Sequence, residues 1–185
     1  YTDAGWTEAE ARRCEASFKN AWLPTIEHYA YFANGNWETA ALQTKMAIAV
    51  FCNDRELFEE TVRYAVNGCG NGSIPHMIVC PTGQCQETTR AQHYVQLGIG
   101  LLTGAAEVAW QKGVDLYGWN DNLILKGHEY TAKYGIGEDV PYRHYLDRTG
   151  KYGFGGRNNY YTKISTASRG KFWPIFERPY QHYAK

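Results

Sequence analysis

Apolar residues along most of this chain recur at three- and four-residue spacing, and Gly, Asn and Pro punctuate the runs. The pattern predicts helices joined by short turns. Thr7-Glu-Ala-Glu10 forms a capping box that opens the first helix, and Pro24 is expected to end it. A second helix follows Asn36, with Leu42, Met46, Ala49 and Val50 in register. Asn53 or Asp54 caps a third, with Leu57, Phe58, Val62 and Val66 inward and Asn67-Gly68 at its end. Residues 69–85 read as a Gly- and Pro-rich loop around the short apolar run Met77-Ile78-Val79. The next helix is expected to carry Gln86, Arg90, His93 and Tyr94 on the face that Leu97, Leu101, Ala105 and Val108 continue, and to stop at Gly113. Within it Gly98, Gly100 and Gly104 each cost about 1 kcal/mol relative to Ala, which fits close approach of another helix or a ligand. Asn120 caps a further helix that aligns Leu123, Gly127, Tyr130 and Tyr134. Residues 139–168 are rich in Tyr, Gly and Arg and long for a simple connection. The last helix is expected near Arg169, interrupted by Pro174 and Pro179. No strand pattern of any length competes, so the fold class is all-α, built from a repeated unit of helix, short turn and antiparallel helix.

A chain of 185 residues suits one domain, residues 1–185, with a sizeable core. Nineteen basic and nineteen acidic residues cancel, so no whole-molecule field favours nucleic acid or a membrane surface, and any recognition of an anion must be local. No apolar run spans a bilayer, and the start does not resemble a signal peptide. The first residue is Tyr rather than Met, which leads us to expect a processed product or a piece of a longer chain. Fifteen Tyr and six Trp suit a sugar-binding groove, although such rings also fill cores. Among the five cysteines, Cys80 and Cys85 are placed to close a small loop, with Cys69 as another partner, while Cys14 and Cys52 read as buried thiols. Without Cys-x-x-Cys or His-Glu-x-x-His, a metal site has little support. Asn71-Gly-Ser73 is a glycosylation acceptor motif in a turn, and it weighs towards secretion.

The run from Gly83 to Gly98 gathers a guanidinium, an imidazole, a phenol and several amides at the head of an otherwise oily stripe. Such a stripe should be the buried one, so its polar end must be either an internal network or the wall of a cleft. Asn36-Trp37, Phe51-x-x-Asp54-Arg55, Gly70-Asn-Gly-Ser-Ile74, Gln84-x-Gln86-Glu87 and Arg90-x-Gln92 recur in an order that carries a resemblance. Ala106-Glu-x-Ala-Trp110, Gly113-Val-Asp-Leu-Tyr117, Glu129-Tyr-x-Ala-Lys-Tyr134, Gly137-x-Asp-Val-Pro141, Arg169-Gly170, Pro174-x-x-Glu177 and His182-Tyr183 continue it. Together these stretches resemble the alginate lyase superfamily, particularly polysaccharide lyase family 38 and its fungal and bacterial relatives. The resemblance implies the later hairpins of an incomplete (α/α) toroid that lacks flanking helices of the full-length family. One departure falls where the group reads Arg-Asp-Gln-x-His-Thr. Here Arg90-Ala-Gln-His-Tyr-Val95 lacks the acid, brings the His one position early and sets Tyr94 in its place.

The resemblance implies β-elimination on a uronic-acid polymer, without a cofactor, by a secreted, extracellular enzyme. The proton beside the sugar carboxylate is too weakly acidic until that carboxylate is neutralised, so donors and cations matter first. Asn36 as a neutral donor and Arg90 as a cation fit that role, and His93 or Tyr94 fits the acid/base role. Tyrosine ordinarily titrates near pH 10 and needs a neighbouring cation to act as a base. Trp37, His76, Gln86, Gln92, Tyr142, Tyr145 and Arg169 are the candidate substrate contacts, for an anionic polysaccharide of the alginate or glucuronan type. Each has a plainer reading: Asn36 as a helix cap, Arg90 paired with Glu87 on a solvated face, His93 in the core, Arg169 at the start of a helix. Three rivals stand beside the lyase. One is a non-catalytic carbohydrate-binding relative, and another is a purely structural helical repeat. The third is a glycoside hydrolase, for which Glu87, Glu107 and Glu129 offer no obvious facing pair.

Overall fold

The capping box forms as the sequence dictates. In a computed structural model that describes residues 4–31, 33–79, 81–147 and 159–184, Thr7 N donates to Glu10 Oε2 (2.8 Å) and Glu10 N to Thr7 Oγ1 (3.3 Å). This opens α1 (Glu8–Ser17). Pro24 does not end the helical path, contrary to expectation. A π-helical turn, Phe18–Trp22, widens the ladder so that Leu23 N reaches Phe18 O, and α2 (Leu23–Ala30) starts with Pro24 in its first turn. A residue without an amide loses nothing there. Asp54 rather than Asn53 caps the third predicted helix, its Oδ1 accepting from Leu57 N at 3.1 Å.

Two antiparallel hairpins form the body. The first is α3 (Gly35–Phe51) with α4 (Arg55–Asn67); the second is α6 (Gln92–Trp110) with α7 (Trp119–Gly135). The pairing is antiparallel because Glu38, at the start of α3, meets Tyr64 at the end of α4. Likewise Gln92, at the head of α6, and Tyr134, at the tail of α7, both donate to Ser165 O. Between the hairpins, α3 and α6 run parallel: a Cβ on Gly98 would lie 3.4 Å from the Asn36 backbone and overlap Met77, and one on Gly104 would overlap Gln43. Two of the three glycines of α6 are thus explained by the close approach of another helix, and Gly100 by Ile175. Leu42, Met46, Ile74, Met77, Ile78, Val95, Ile99, Leu102 and Ile124 fill the core around this seam.

The buried face of α6 is Val95, Ile99, Leu102, Ala106 and Ala109. The predicted stripe is displaced from it, since Leu97, Leu101 and Val108 are only half-buried, although its Ala105 is fully buried. Gln86 and Arg90 are not on this helix at all. Gln86–Thr89 form a 3-10 turn, and Arg90 is extended (φ −95°, ψ −178°). The apolar run 77–79 contributes to the short α5 (Ile74–Met77) and a bridge between Ile78 and Cys85. Asn120, Asp121 and Asn122 all take left-handed backbone angles before the body of α7. Between α6 and α7, Thr103 Oγ1 donates to Ile99 O of its own helix at 2.8 Å, so the 2.7 Å contact with His128 of α7 must be a proton from His128 Nε2. Nδ1 is then bare, buried and without a partner, and burial pushes His128 down to about 4.

A two-stranded antiparallel hairpin, β1 (Tyr145–Asp147) and β2 (Asn159–Tyr161), interrupts the helices. The predicted 139–168 segment lies partly outside the described residues. After β2 a strap crosses the first half of α6: Gln92 N donates to Ala167 O, Gln96 Nε2 to Lys171 O, and Trp173 N to Gln96 Oε1. The last helix begins later than predicted, as α8 (Glu177–Tyr183), with Pro179 inside its first turn where no amide is required. Cys14, Cys52, Cys69 and Cys85 are free thiols, Cys85 fully buried and pushed up to about 12 by that burial; Cys80 lies outside the described residues. Asn71 is 3% exposed and gives its Nδ2 to Ala33 O. No described helix is long and apolar enough to cross a membrane.

Gly83 has φ +95°, and a Cβ there would overlap Lys126 O of α7. Gly83→Ala is expected to cost about 3 kcal/mol or more and lower Tm by about 6–12 °C. Gly113→Ala, with φ +81° and open space around it, should cost only about 1 kcal/mol. Paired calorimetric scans check the difference. For His128, the unfolded chain takes up a proton below about pH 6.5 and the folded chain only below about 4. Stability therefore falls as pH drops through that window, by up to about 1.4 kcal/mol per pH unit. Urea unfolding at a series of pH values should show this acid limb flattened in His128→Gln.

Candidate active site

Because α3 and α6 run parallel, both present their N-termini at the same end, where helix dipoles favour negative charge. Asn36 sits in the first turn of α3; Gln92, His93 and Tyr94 sit in the first turn of α6. The 3-10 turn between them ties the two starts together. Gln86 Oε1 accepts from Gly35 N at 2.8 Å, and Glu87 Oε1 accepts from Asn36 N at 3.2 Å. The other oxygen of Glu87 accepts from Arg90 Nη1 at 2.7 Å. Glu87 is 1% exposed, so this pair is an internal one, not the solvated helix-face pair considered from sequence.

Arg90 lies with its guanidinium carbon 3.7 Å from the centre of the Tyr94 ring. The Tyr94 ring is 4.1 Å from that of His93, which turns the other way, with Nδ1 3.2 Å from Ser168 Oγ and its face 6.1 Å from Trp173. Of the two acid/base candidates, Tyr94 has its ring against the Arg90 guanidinium. Asn36 is 4% exposed, and among the described residues its Oδ1 has no hydrogen-bond partner, as is also true of the buried Thr88 and Thr89 hydroxyls. Trp37, next to Asn36, is 51% exposed.

The remaining predicted residues divide. Gln86 holds the start of α3. Gln92 is an internal clasp, its Nε2 donating to Thr88 O (3.1 Å) and Ser165 O (2.8 Å). His76 is held within its own loop, with Nδ1 3.1 Å from Ser73 Oγ and 3.2 Å from Gly70 O. Arg169 does not begin a helix. Its Nε and Nη2 donate to Tyr134 O and Glu138 O, and its guanidinium covers the Tyr134 ring, so it caps the end of α7. Tyr142 and Tyr145 belong to a second aromatic group with His144, Tyr160 and Tyr161 beside the β-hairpin. Among the described residues the Tyr142 hydroxyl is buried without a partner, and burial followed by Tyr160 and Tyr161 pushes it up to about 12. Gln84 anchors this group by a paired amide contact with Arg143, 2.8 Å each way.

Sequence reasoning missed three contributors: Glu87 as the tie between the helix starts, Ser168 against His93, and Trp173. Glu87 carried a signal, being an acid three residues before the candidate cation. Ser168 and Trp173 are brought in by the strap, which no local pattern announces. A cleft of about 650 Å³ opens further along α6, between Leu97 and Trp110.

A family model described as alginate lyase matches residues 2–140, three-quarters of the chain. The chain belongs to the alginate lyase family. Neither a curated protein nor a solved structure matches it. Membership in the alginate lyase family points to a polysaccharide lyase, a carbon–oxygen lyase acting on an anionic polysaccharide. The matched span takes in α3, the 3-10 turn and the head of α6, and therefore Asn36, Arg90, His93 and Tyr94. It stops before Tyr142, Tyr145 and Arg169. Among the described residues no cluster of three or more His, Cys, Asp or Glu side chains is placed to hold a metal ion.

Removing the Glu87 carboxylate takes an acceptor from the half-buried Arg90 guanidinium and from the Asn36 amide together. Glu87→Ala is expected to lose roughly 3–5 kcal/mol of unfolding free energy. Glu87→Gln retains an acceptor for Asn36 N and should lose less, a contrast that urea denaturation resolves.

Proposed function

We propose that this protein cleaves a uronate-containing polysaccharide by β-elimination, at the end of the bundle where α3 and α6 begin. The reading includes closure of the hairpins, with further helices, into an (α/α) toroid of the polysaccharide lyase family 38 type, and action outside the cell on an alginate- or glucuronan-like chain. The observation that carries it is the Arg90 guanidinium lying on the Tyr94 ring while Glu87 fixes both Arg90 and the helix start that bears Asn36.

In this scheme the sugar carboxylate meets Arg90 and the amide of Asn36, which withdraw charge and make the C5 proton removable. Charge develops on that carboxylate as the C5–H bond breaks, and fixed donors in place beforehand stabilise it. Tyr94, beside the cation, takes the C5 proton; the C4–O bond breaks, a C4=C5 double bond forms, and the proton passes to the departing glycosidic oxygen. His93, engaged with Ser168, orients the Tyr94 ring, and Trp37 offers a stacking face to a neighbouring sugar.

Tyr94→Phe should lower kcat by about 10²–10⁴-fold, and Arg90→Ala by about 10²–10³-fold. His93→Ala, acting through Tyr94, should cost less than about tenfold. The readout is the ultraviolet absorbance of the conjugated 4,5-unsaturated uronate, with polymannuronate, polyguluronate and polyglucuronate as substrates. Reducing ends without that absorbance would mean hydrolysis, and binding without either would mean a carbohydrate-binding relative.

A further inference from the structure

The N-terminal arm, α1 with the π turn and α2, is thinly attached to the body. Among the described side chains of residues 4–31 only Ala11 and Ala30 are buried. The main contact of α1 is with the end of α3. Two rings of the arm meet the Phe51 ring edge-on, Trp6 at 6.4 Å and Phe18 at 5.3 Å. One residue after Phe18, Lys19 Nζ donates to Asp54 Oδ2 at 2.7 Å, just past the turn that follows α3.

Two thiols fall inside this contact. Ala11, Cys14 and Phe18 are spaced three and four residues apart, so they share one face of the helix. That face is turned to the body, because Ala11 is 1% exposed and Phe18 packs on Phe51. Cys14 stands between them, one turn before Phe18, whose amide donates to the Cys14 carbonyl. On the other side of the contact, Cys52 follows Phe51 directly and caps the end of α3. Neither is the buried thiol that its helical position suggested; both are free and half-buried, unlike the sealed Cys85. Burial raises the Cys52 thiol above its ordinary value, and the ionisable groups that act on it are Lys19, Glu15, Asp54 and Cys14.

We propose that Cys14 and Cys52 form a modification site: in an oxidising environment they join as a disulfide that fastens α1 to the end of α3. The reaction is exchange with a small-molecule disulfide such as oxidised glutathione. One protein thiolate attacks a sulfur of that disulfide, releasing one glutathione thiolate and leaving a mixed disulfide. The second protein thiolate attacks the protein sulfur of the mixed bond, and the second glutathione leaves. The departing thiolates take up the two protons that the cysteines lose, so two protein thiols are oxidised and one glutathione disulfide is reduced. The bridge closes a loop of roughly 40 residues and acts chiefly by constraining the unfolded chain, which compensates for the sparse packing of the arm. It stands apart from the lyase chemistry, since Cys52 caps the end of α3 opposite to Asn36.

The test equilibrates the full chain with reduced and oxidised glutathione, alkylates the remaining thiols and maps the bridges by mass spectrometry of unreduced peptides. A peptide pair joining Cys14 to Cys52 is expected, with both alkylation sites lost together. Thermal unfolding of the oxidised chain should shift up by about 5–10 °C relative to the reduced chain. Cys14→Ala and Cys52→Ala should each abolish that shift, and Cys69→Ala should keep it. A shift that survives Cys52→Ala would overturn the proposal. So would separate glutathione adducts on Cys14 and Cys52 with no link between them, or a bridge from either one to Cys69. Single variants that lower Tm equally with and without oxidant would show thiols that merely pack, and would overturn it too.

Discussion

The carboxylate of Glu87 is the constraint on which the polar end of this protein depends. One oxygen takes the Asn36 amide and the other takes Arg90, so a single buried anion sets the spacing between two helix starts and the cation that serves them. Neither helix would hold that spacing unaided, because the first amides of a helix have no intrahelical partners. Gln86 completes the arrangement at Gly35. Behind it, the parallel approach of α3 and α6 is permitted by glycine, so the two helix starts form one rigid edge.

Rigidity at this edge matters for the chemistry proposed there. A guanidinium that must neutralise a carboxylate in the transition state gains from being fixed beforehand, since no reorganisation is then needed as charge develops. Arg90 is fixed twice, by Glu87 in the plane of its fork and by the face of Tyr94. The same packing leaves Asn36 Oδ1 buried without a partner, a cost that ordinary cores avoid and functional sites tolerate.

Much of the fold was legible because it is written in local signals. The capping box at Thr7, the acidic cap at Asp54, the Gly68 stop and the α6 glycines each report a backbone requirement that a single residue type satisfies. Pro24 misled because a π turn upstream removed the need for its missing amide, and such turns leave no mark in periodicity. The stripe through Leu97 and Leu101 misled for a different reason. Apolar spacing identifies a face that avoids water, but it does not distinguish a core from the wall of an open cleft, and α6 has both, rotated from one another. At the polar end, the residue types were readable and their grouping was not. Arg90 reaches Tyr94 through an extended break between a 3-10 turn and a helix, and Arg169 was drawn away to α7 by a strap whose path is set by tertiary contacts.

The way glycine amides are engaged has a consequence for chemical durability. Asparagine followed by glycine is the pair most prone to spontaneous deamidation, since the unhindered glycine nitrogen swings round to attack the side-chain carbonyl and closes a succinimide ring. The chain carries three such pairs, beginning at Asn34, Asn67 and Asn71. In each the nitrogen is held elsewhere: Gly35 by Gln86, Gly68 by Tyr64 O, and Gly72 by Glu38. Folding thus guards the backbone at its most perishable points, and a chain that opens at this end would begin to age.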